Sequence, residues 1–189
     1  MMFQRSIFRA MLLLVTAGAA TSCTSHGVND NPLIRPFEWF SYANGDDIRA
    51  TCKPGFTNRY RFIYNAIYDQ QVRTYNITQI PTAKEATQTT RVFAGSLSKS
   101  WILNGSEGFT SGENESRVNI SLKDLLDIEQ ALVKSGFEQP AVEGQILHSD
   151  SFYWIAMVCR DGNFKYYAWN DENSDIPKLP FRKVLSVGD

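Results

Sequence analysis

Histidine is nearly absent from this chain, with two residues, His26 and His148, in 189. A Ser or Cys nucleophile needs an imidazole base that a third group orients. His26 lies in a polar N-terminal stretch, so His148 is the sole candidate base. It sits in Leu147-His148-Ser149-Asp150-Ser151, the chain has no Gly-x-Ser-x-Gly elbow, and neighbours in sequence do not by themselves make a triad. Cysteine is as scarce, at three. With no close Cys-x-x-Cys or His-x-x-x-His pair, a zinc site on His and Cys has nothing to build on. An excess of positive charge is also missing: 19 Lys and Arg stand against 20 Asp and Glu. A nucleic-acid footprint needs clustered basic residues and a basic balance, so nucleic acid is not an expected partner. There is no Walker loop or Gly-x-Gly-x-x-Gly run, and no cofactor is implied. The apolar run Ala10 to Ala20 has 11 residues, well short of the ~20 that a membrane-spanning helix needs.

That run is nevertheless informative. Arg5 and Arg9 precede it and Ala20-Thr21-Ser22-Cys23 closes it, the layout of a cleavable secretory signal. Small residues directly before a cysteine resemble the lipobox of bacterial lipoproteins. Ala20 stands where that class usually has leucine. The resemblance implies cleavage before Cys23, diacylglycerol on its sulfur and a lipid-anchored mature chain. Thr24 after the acylated cysteine, in place of Asp, implies the outer membrane of a Gram-negative cell, facing the periplasm. An ordinary signal peptidase cut after Ala19, where Ala17-Gly18-Ala19 also fits, is the alternative. The expected organisation is therefore a signal peptide over 1–22, an acylated N-terminus and tether over 23–36, and one globular domain over 37–189. Loss of residues 1–22 removes two arginines and no acid, leaving 17 basic against 20 acidic residues and a net charge of −3.

Lipidation of Cys23 leaves Cys52 and Cys159 as an even pair in an oxidising compartment, where a disulfide forms and persists. The tether ends at the aromatic cluster Phe37, Trp39 and Phe40, which is expected to dock the start of the domain. In Arg59 to Tyr68 a period of two puts Tyr60, Phe62, Tyr64, Ala66 and Tyr68 on one face and Arg59, Arg61, Ile63, Asn65 and Ile67 on the other. A second strand near Val72 to Ile80 returns around Asp69-Gln70. Residues 82–90 are ambiguous between strand and loop, Arg91–Leu97 and Trp101–Leu103 read as short strands, and Asn104–Ser116 reads as a polar loop.

Helix is expected over Leu122–Ser135. Ser121 and Asp124 form a capping-box pattern, and Gly136 with Phe137 suits a Schellman ending. Leu122, Leu125, Leu126, Leu132 and Val133 are the expected buried stripe. Phe152–Cys159 and Phe164–Trp169 flank Asp161-Gly162, a type I′ signal. This sets Cys159 opposite Phe164, Met157 opposite Tyr166, Ile155 opposite Ala168, and Trp154 opposite Trp169. Apolar residues on both faces place the hairpin centrally in the sheet. The tail Asn170–Asp189 is expected to be an irregular surface strap. Its acids lack the spacing of a calcium loop.

The fold class is thus α+β, a mainly antiparallel sheet with one packed helix over about 122–135 and a Cys52–Cys159 disulfide. The expected function is that of a lipid-anchored envelope interaction or assembly module with a protein partner and no catalytic site. Tyr60, Arg61, Tyr64, Tyr167 and Trp169 are the candidate contact residues, because aromatic and arginine anchors dominate interface energies. Two rivals are a carboxylate-dependent hydrolase of envelope glycans, with Asp46, Asp47, Glu113 and Glu115 on offer, and a carrier of a hydrophobic ligand.

Overall fold

The computed structural model describes residues 39–66, 71–94 and 114–185, all within one compact unit, Asn31–Asp189. Cys23, the tether, Phe37, Glu113 and the expected Trp101–Leu103 strand lie outside the described residues.

Six strands form one antiparallel sheet: β1 (Asn58–Ala66), β2 (Gln71–Gln79), β3 (Glu85–Ala94), β4 (Asn114–Ser121), β5 (Phe152–Arg160) and β6 (Asn163–Asn170). Their spatial order is β4-β3-β2-β1-β5-β6. The mixed α+β class and the disulfide are as the sequence indicates, with Cα atoms of Cys52 and Cys159 5.6 Å apart. The β5–β6 register also agrees pair for pair, from Cys159–Phe164 to Trp154–Trp169. Its cause is the turn: Asp161 and Gly162 have φ of 51° and 79°, the two positive values that a type I′ turn requires. The hairpin is central only on one side, because β6 is an edge strand.

Both faces of the sheet are covered. One meets α1 (Trp39–Asn44) and α2 (Asp46–Thr51), with Trp39 and Ile48 packed among Ile63, Ile155 and Met157. The other meets α3 (Leu122–Lys134), a 3-10 turn (Ile176–Lys178) and α4 (Phe181–Leu185) over Tyr60, Phe62, Trp154 and Trp169. The alternation read in β1 follows these two cores, with Tyr60 and Phe62 in one and Ile63 in the other.

Helix α3 carries the expected caps. Ser121 N donates to Asp124 Oδ2 (3.1 Å), Asp124 N donates to Ser121 Oγ (3.2 Å), and Phe137 N reaches Leu132 O at 3.2 Å. Its buried face differs from the expected stripe. Leu125, Ile128, Ala131 and Leu132 point inward, whereas Leu122, Leu126 and Val133 are exposed. The helix bears two apolar stripes, and the sheet takes the one that includes Ala131, whose small side chain allows close approach.

Strands β1 and β2 form the expected hairpin, joined through residues 67–70 with Asn65 opposite Val72. Three further readings are sharpened or corrected. Residues 85–94 are a strand throughout, because β3 turns Ala86, Gln88 and Thr90 inward. Gln88 is satisfied there by donating to the Leu185 carbonyl at 3.2 Å. Asn114–Ser116 belong to β4, not to a loop. The tail is no surface strap: Ile176, Leu179, Phe181 and Leu185 are core residues, and the helices over 39–51 were not anticipated.

Candidate functional site

Four of the five candidate contact residues are not on the surface. Tyr60, Arg61, Tyr167 and Trp169 are 2%, 3%, 6% and 1% exposed. Sheet residues that are aromatic on both faces read as interface when the covering layers are not seen; here helices cover both faces. Trp169 stacks beside Phe137 and Phe181, and its Nε1 donates to Ser135 O at 2.7 Å. Tyr60 donates its hydroxyl proton to Glu129. Burial, and then the Glu129 carboxylate, push the Tyr60 phenol well above its ordinary range. The same rings pack on one another, Phe181 lying 5.2 Å from Trp154 and 5.0 Å from Trp169. They fill a core where the hydrophobic-carrier reading expects the wall of a cavity.

Arg61 is the centre of a buried polar cluster. Its guanidinium donates to both Asp47 oxygens (2.8 and 2.9 Å), to Asn76 Oδ1 (2.8 Å) and to the Tyr42 carbonyl (2.9 Å). It also lies over the Tyr42 ring, 3.5 Å from the centroid. Asp47 accepts from Arg59 as well, at 2.7 Å. Partial burial alone would raise the Asp47 carboxyl, but hydrogen bonds and charge from Arg61 and Arg59 outweigh it and hold the group below its ordinary range. The cluster therefore fastens α1 and α2 to the sheet. Two more of the carboxylates named for glycan hydrolysis are likewise engaged: Asp46 accepts from Ser41, and Glu115 pairs with Arg91 and Arg117. His148 is exposed, and its carbonyl caps a turn at Ser151.

Among the described residues, open clefts lie on the α3/α4 side. One, of about 280 Å³, lies beside α3. Among its charged groups Glu129 pairs with Arg160 at 3.0 Å and Lys165 with Glu138 at 2.9 Å, and Asp161 also lines it. The other, of about 350 Å³, is different. Sheet register builds its floor: Tyr64 on β1 lies opposite Arg73 on β2 and opposite Trp154 on β5. Tyr64 and Trp154 stack with centroids 4.8 Å apart, and Tyr75 also stacks on Trp154, at 6.0 Å. Arg182 and Lys183, on α4, complete the rim. The described lining thus holds three cations and no carboxylate or histidine. Arg73 donates from Nε to Gln71 Oε1 at 3.2 Å, and Arg182 donates to the Ile176 and Pro177 carbonyls.

Tyr64 is the one candidate contact residue that reaches this cleft. Arg73, Tyr75, Trp154, Arg182 and Lys183 were missed. The signal available was Arg73-x-Tyr75, two residues of one strand face beside Tyr64, together with the adjacent cations Arg182-Lys183. Among the described residues no group of three or more His, Cys, Asp or Glu is placed to hold a metal ion, and no helix is long and apolar enough to cross a membrane. Compared with family models, with curated proteins and with solved structures, the chain finds no significant match in any of the three.

Proposed function

We propose that this chain is a lipid-anchored binding module of the bacterial envelope. An acylated Cys23 holds it at the outer membrane, its domain faces the periplasm, and it works by engaging an envelope partner, not by catalysis. The observation that carries this reading is the Cys52–Cys159 disulfide. Such a bond belongs to a compartment where thiols are oxidised. It also uses two of the three cysteines and leaves Cys23, directly behind Ala20-Thr21-Ser22, as the odd one. A lipid on that residue gives it a role that an unpaired exported thiol would lack. Further support for binding over catalysis comes from the charged groups, since Asp47, Glu115, Glu129 and Glu138 each sit in an ion pair.

Metabolic labelling with an alkyne palmitate tests the anchor. The wild type is expected to carry the label and Cys23→Ala to lose it and move to the soluble fraction, because acyl chains supply the anchoring. Equal labelling of both would refute it. Co-purification from crosslinked envelopes is expected to recover a partner, and to do so unchanged from His148→Ala.

A further inference from the structure

We propose that β4 is an assembly edge, and that its occupant is β4 of a second copy of this chain, paired antiparallel about a two-fold axis to make one continuous sheet.

The two edges of the sheet are built differently. Along the far half of β6 the outer side is closed. Asn173 Nδ2 donates to the Ala168 carbonyl at 3.1 Å, Asn170 N donates to Asn173 Oδ1 at 3.0 Å, and Tyr167, Ala168, Trp169 and Asn170 are buried. Along β4 the side chains are open to solvent: Glu115, Ser116, Arg117, Asn119 and Ser121 are all exposed. Sheets commonly blunt an edge with proline, a bulge or a very short strand. β4 has none of these. Its eight residues contain no proline or glycine and pair one to one with β3, from Val92–Asn114 to Glu85–Ser121.

Alternation fixes which main-chain groups this edge offers. Ser121 N donates to Asp124 Oδ2 at 3.1 Å, so it points away from β3. In an antiparallel ladder every second residue shares that orientation, which turns the N–H and C=O of Asn119 and Arg117 outward. The side-chain contacts Thr87–Asn119 and Arg91–Glu115 agree, because side chains approach most closely at such positions. Among the described residues no main-chain hydrogen bond reaches Arg117 or Asn119 from outside the sheet.

A second copy fits this edge in geometry and in charge. Two antiparallel strands are related by a dyad perpendicular to the sheet, so α1 and α2 of both copies stay on one face of the joined sheet. The domain begins at Trp39 on that face. Both tethers therefore start on the same side and can reach one membrane, a step that rests on the reading that Cys23 is acylated. Confinement to that membrane raises the effective concentration of copies for each other. β4 is also preformed, and avoids the ordering cost that a flexible peptide meets on binding. With the dyad at Val118 the strand overlaps itself over 115–121. Arg117, linked to Glu115 at 3.5 Å, then lies opposite Asn119 of the second copy, Glu115 opposite Ser121, and half-buried Val118 opposite Val118. No like charges face each other in this register, whereas a dyad at Arg117 would oppose two arginines.

The test is oxidative cross-linking of the full-length acylated protein in its own membranes. With Cys52 bonded to Cys159 and Cys23 acylated, an introduced thiol reports alone. A non-hydrogen-bonded pair at the dyad has Cα atoms about 4.5 Å apart, within disulfide range, so Val118→Cys is expected to give a covalent dimer. Val142→Cys, exposed outside the sheet, is expected to give none. Asn119→Lys added to Val118→Cys sets a second cation opposite Arg117 and should lower the yield about fivefold at an unchanged melting temperature. Arg117→Pro removes an N–H that β3 does not use, a change tolerated at edges, and should abolish the dimer; if it unfolds the chain, Asn119→Lys decides. The proposal is overturned if Val118→Cys forms no dimer, if it links to a different protein, if Val142→Cys links equally well, or if Asn119→Lys leaves the yield unchanged. A palmitate-labelled chain with no dimer would refute this inference alone. A dimer of an unlabelled chain would refute the anchor and keep the interface.

Discussion

At the scale of single residues, the decisive chemistry is the buried Arg61 guanidinium. A buried charge is tolerated only when its donors are satisfied, and Arg61 spends its own on Asp47, Asn76 and the Tyr42 carbonyl. Asp47→Asn keeps the shape and removes the counter-charge. Breaking a fully buried pair costs about 3–5 kcal/mol. Asp47 keeps 47% of its side-chain surface in water, so screening reduces the expected loss to about 1–3 kcal/mol near neutrality. The folded-state carboxyl lies below its ordinary 3.8. Its contribution is therefore complete above the unfolded value and disappears as pH falls through the lower folded value. Urea unfolding at pH 7 and at successive points below pH ~4 should show the gap between wild type and Asp47→Asn closing in acid. A gap independent of pH would assign the effect to shape instead of charge. Tyr166, which burial pushes up to about 12, stays protonated over this whole range.

At the scale of elements, local signals that fix backbone geometry were legible and signals of which face is buried were not. Asp161-Gly162 dictated a register that holds through β5 and β6, and Ser121 with Asp124 dictated where α3 begins. Both are short-range statements about φ, ψ and hydrogen bonds. The phase of α3 was misread because Leu122, Leu126 and Val133 are as apolar as the residues that are buried, so only the opposing surface chooses between the stripes. The polar inner face of β3 was unreadable because the partner of Gln88 is the Leu185 carbonyl, far away in sequence. The cleft was scattered in the same way, its residues coming from β1, β2, β5 and α4, and only sheet register brings them together. The turn itself yields a sharp expectation. A Cβ at Gly162 would meet Pro54 Cδ at 2.5 Å and Pro54 N at 2.6 Å, whereas one at Gly55, also at positive φ, meets nothing within 4 Å. Gly55→Ala therefore measures backbone strain alone, and Gly162→Ala adds a collision with backbone that cannot swing aside. Thermal or urea melts should place Gly162→Ala about 1–3 kcal/mol below wild type and clearly below Gly55→Ala. Equal losses would mean that the 52–56 segment yields freely.

That segment is where the whole molecule is tied together. The six-stranded sheet is a continuous ladder, and α1 and α2 are joined to it by the Trp39 and Ile48 packing, the Arg61 cluster, the Arg49 guanidinium over the Phe164 ring and the Cys52–Cys159 bond. Cys52 follows α2 directly and Cys159 lies on β5, so the bond clamps the end of the N-terminal layer to a strand flanked on both sides. It joins residues 107 apart in sequence. A cross-link over so long a loop acts chiefly on the unfolded chain, by removing conformations open to it before folding. Reduction, or the pair Cys52→Ala with Cys159→Ala, is therefore expected to cost about 2–5 kcal/mol, a large part of the ~5–15 kcal/mol that holds a domain folded. The native state itself should change little. Urea unfolding followed by tryptophan fluorescence should show an earlier midpoint, while the folded-state spectrum stays that of the oxidised protein. An altered folded spectrum would instead mean that the bond holds the N-terminal layer against the sheet. An unmoved midpoint would mean that packing and the Arg61 cluster suffice.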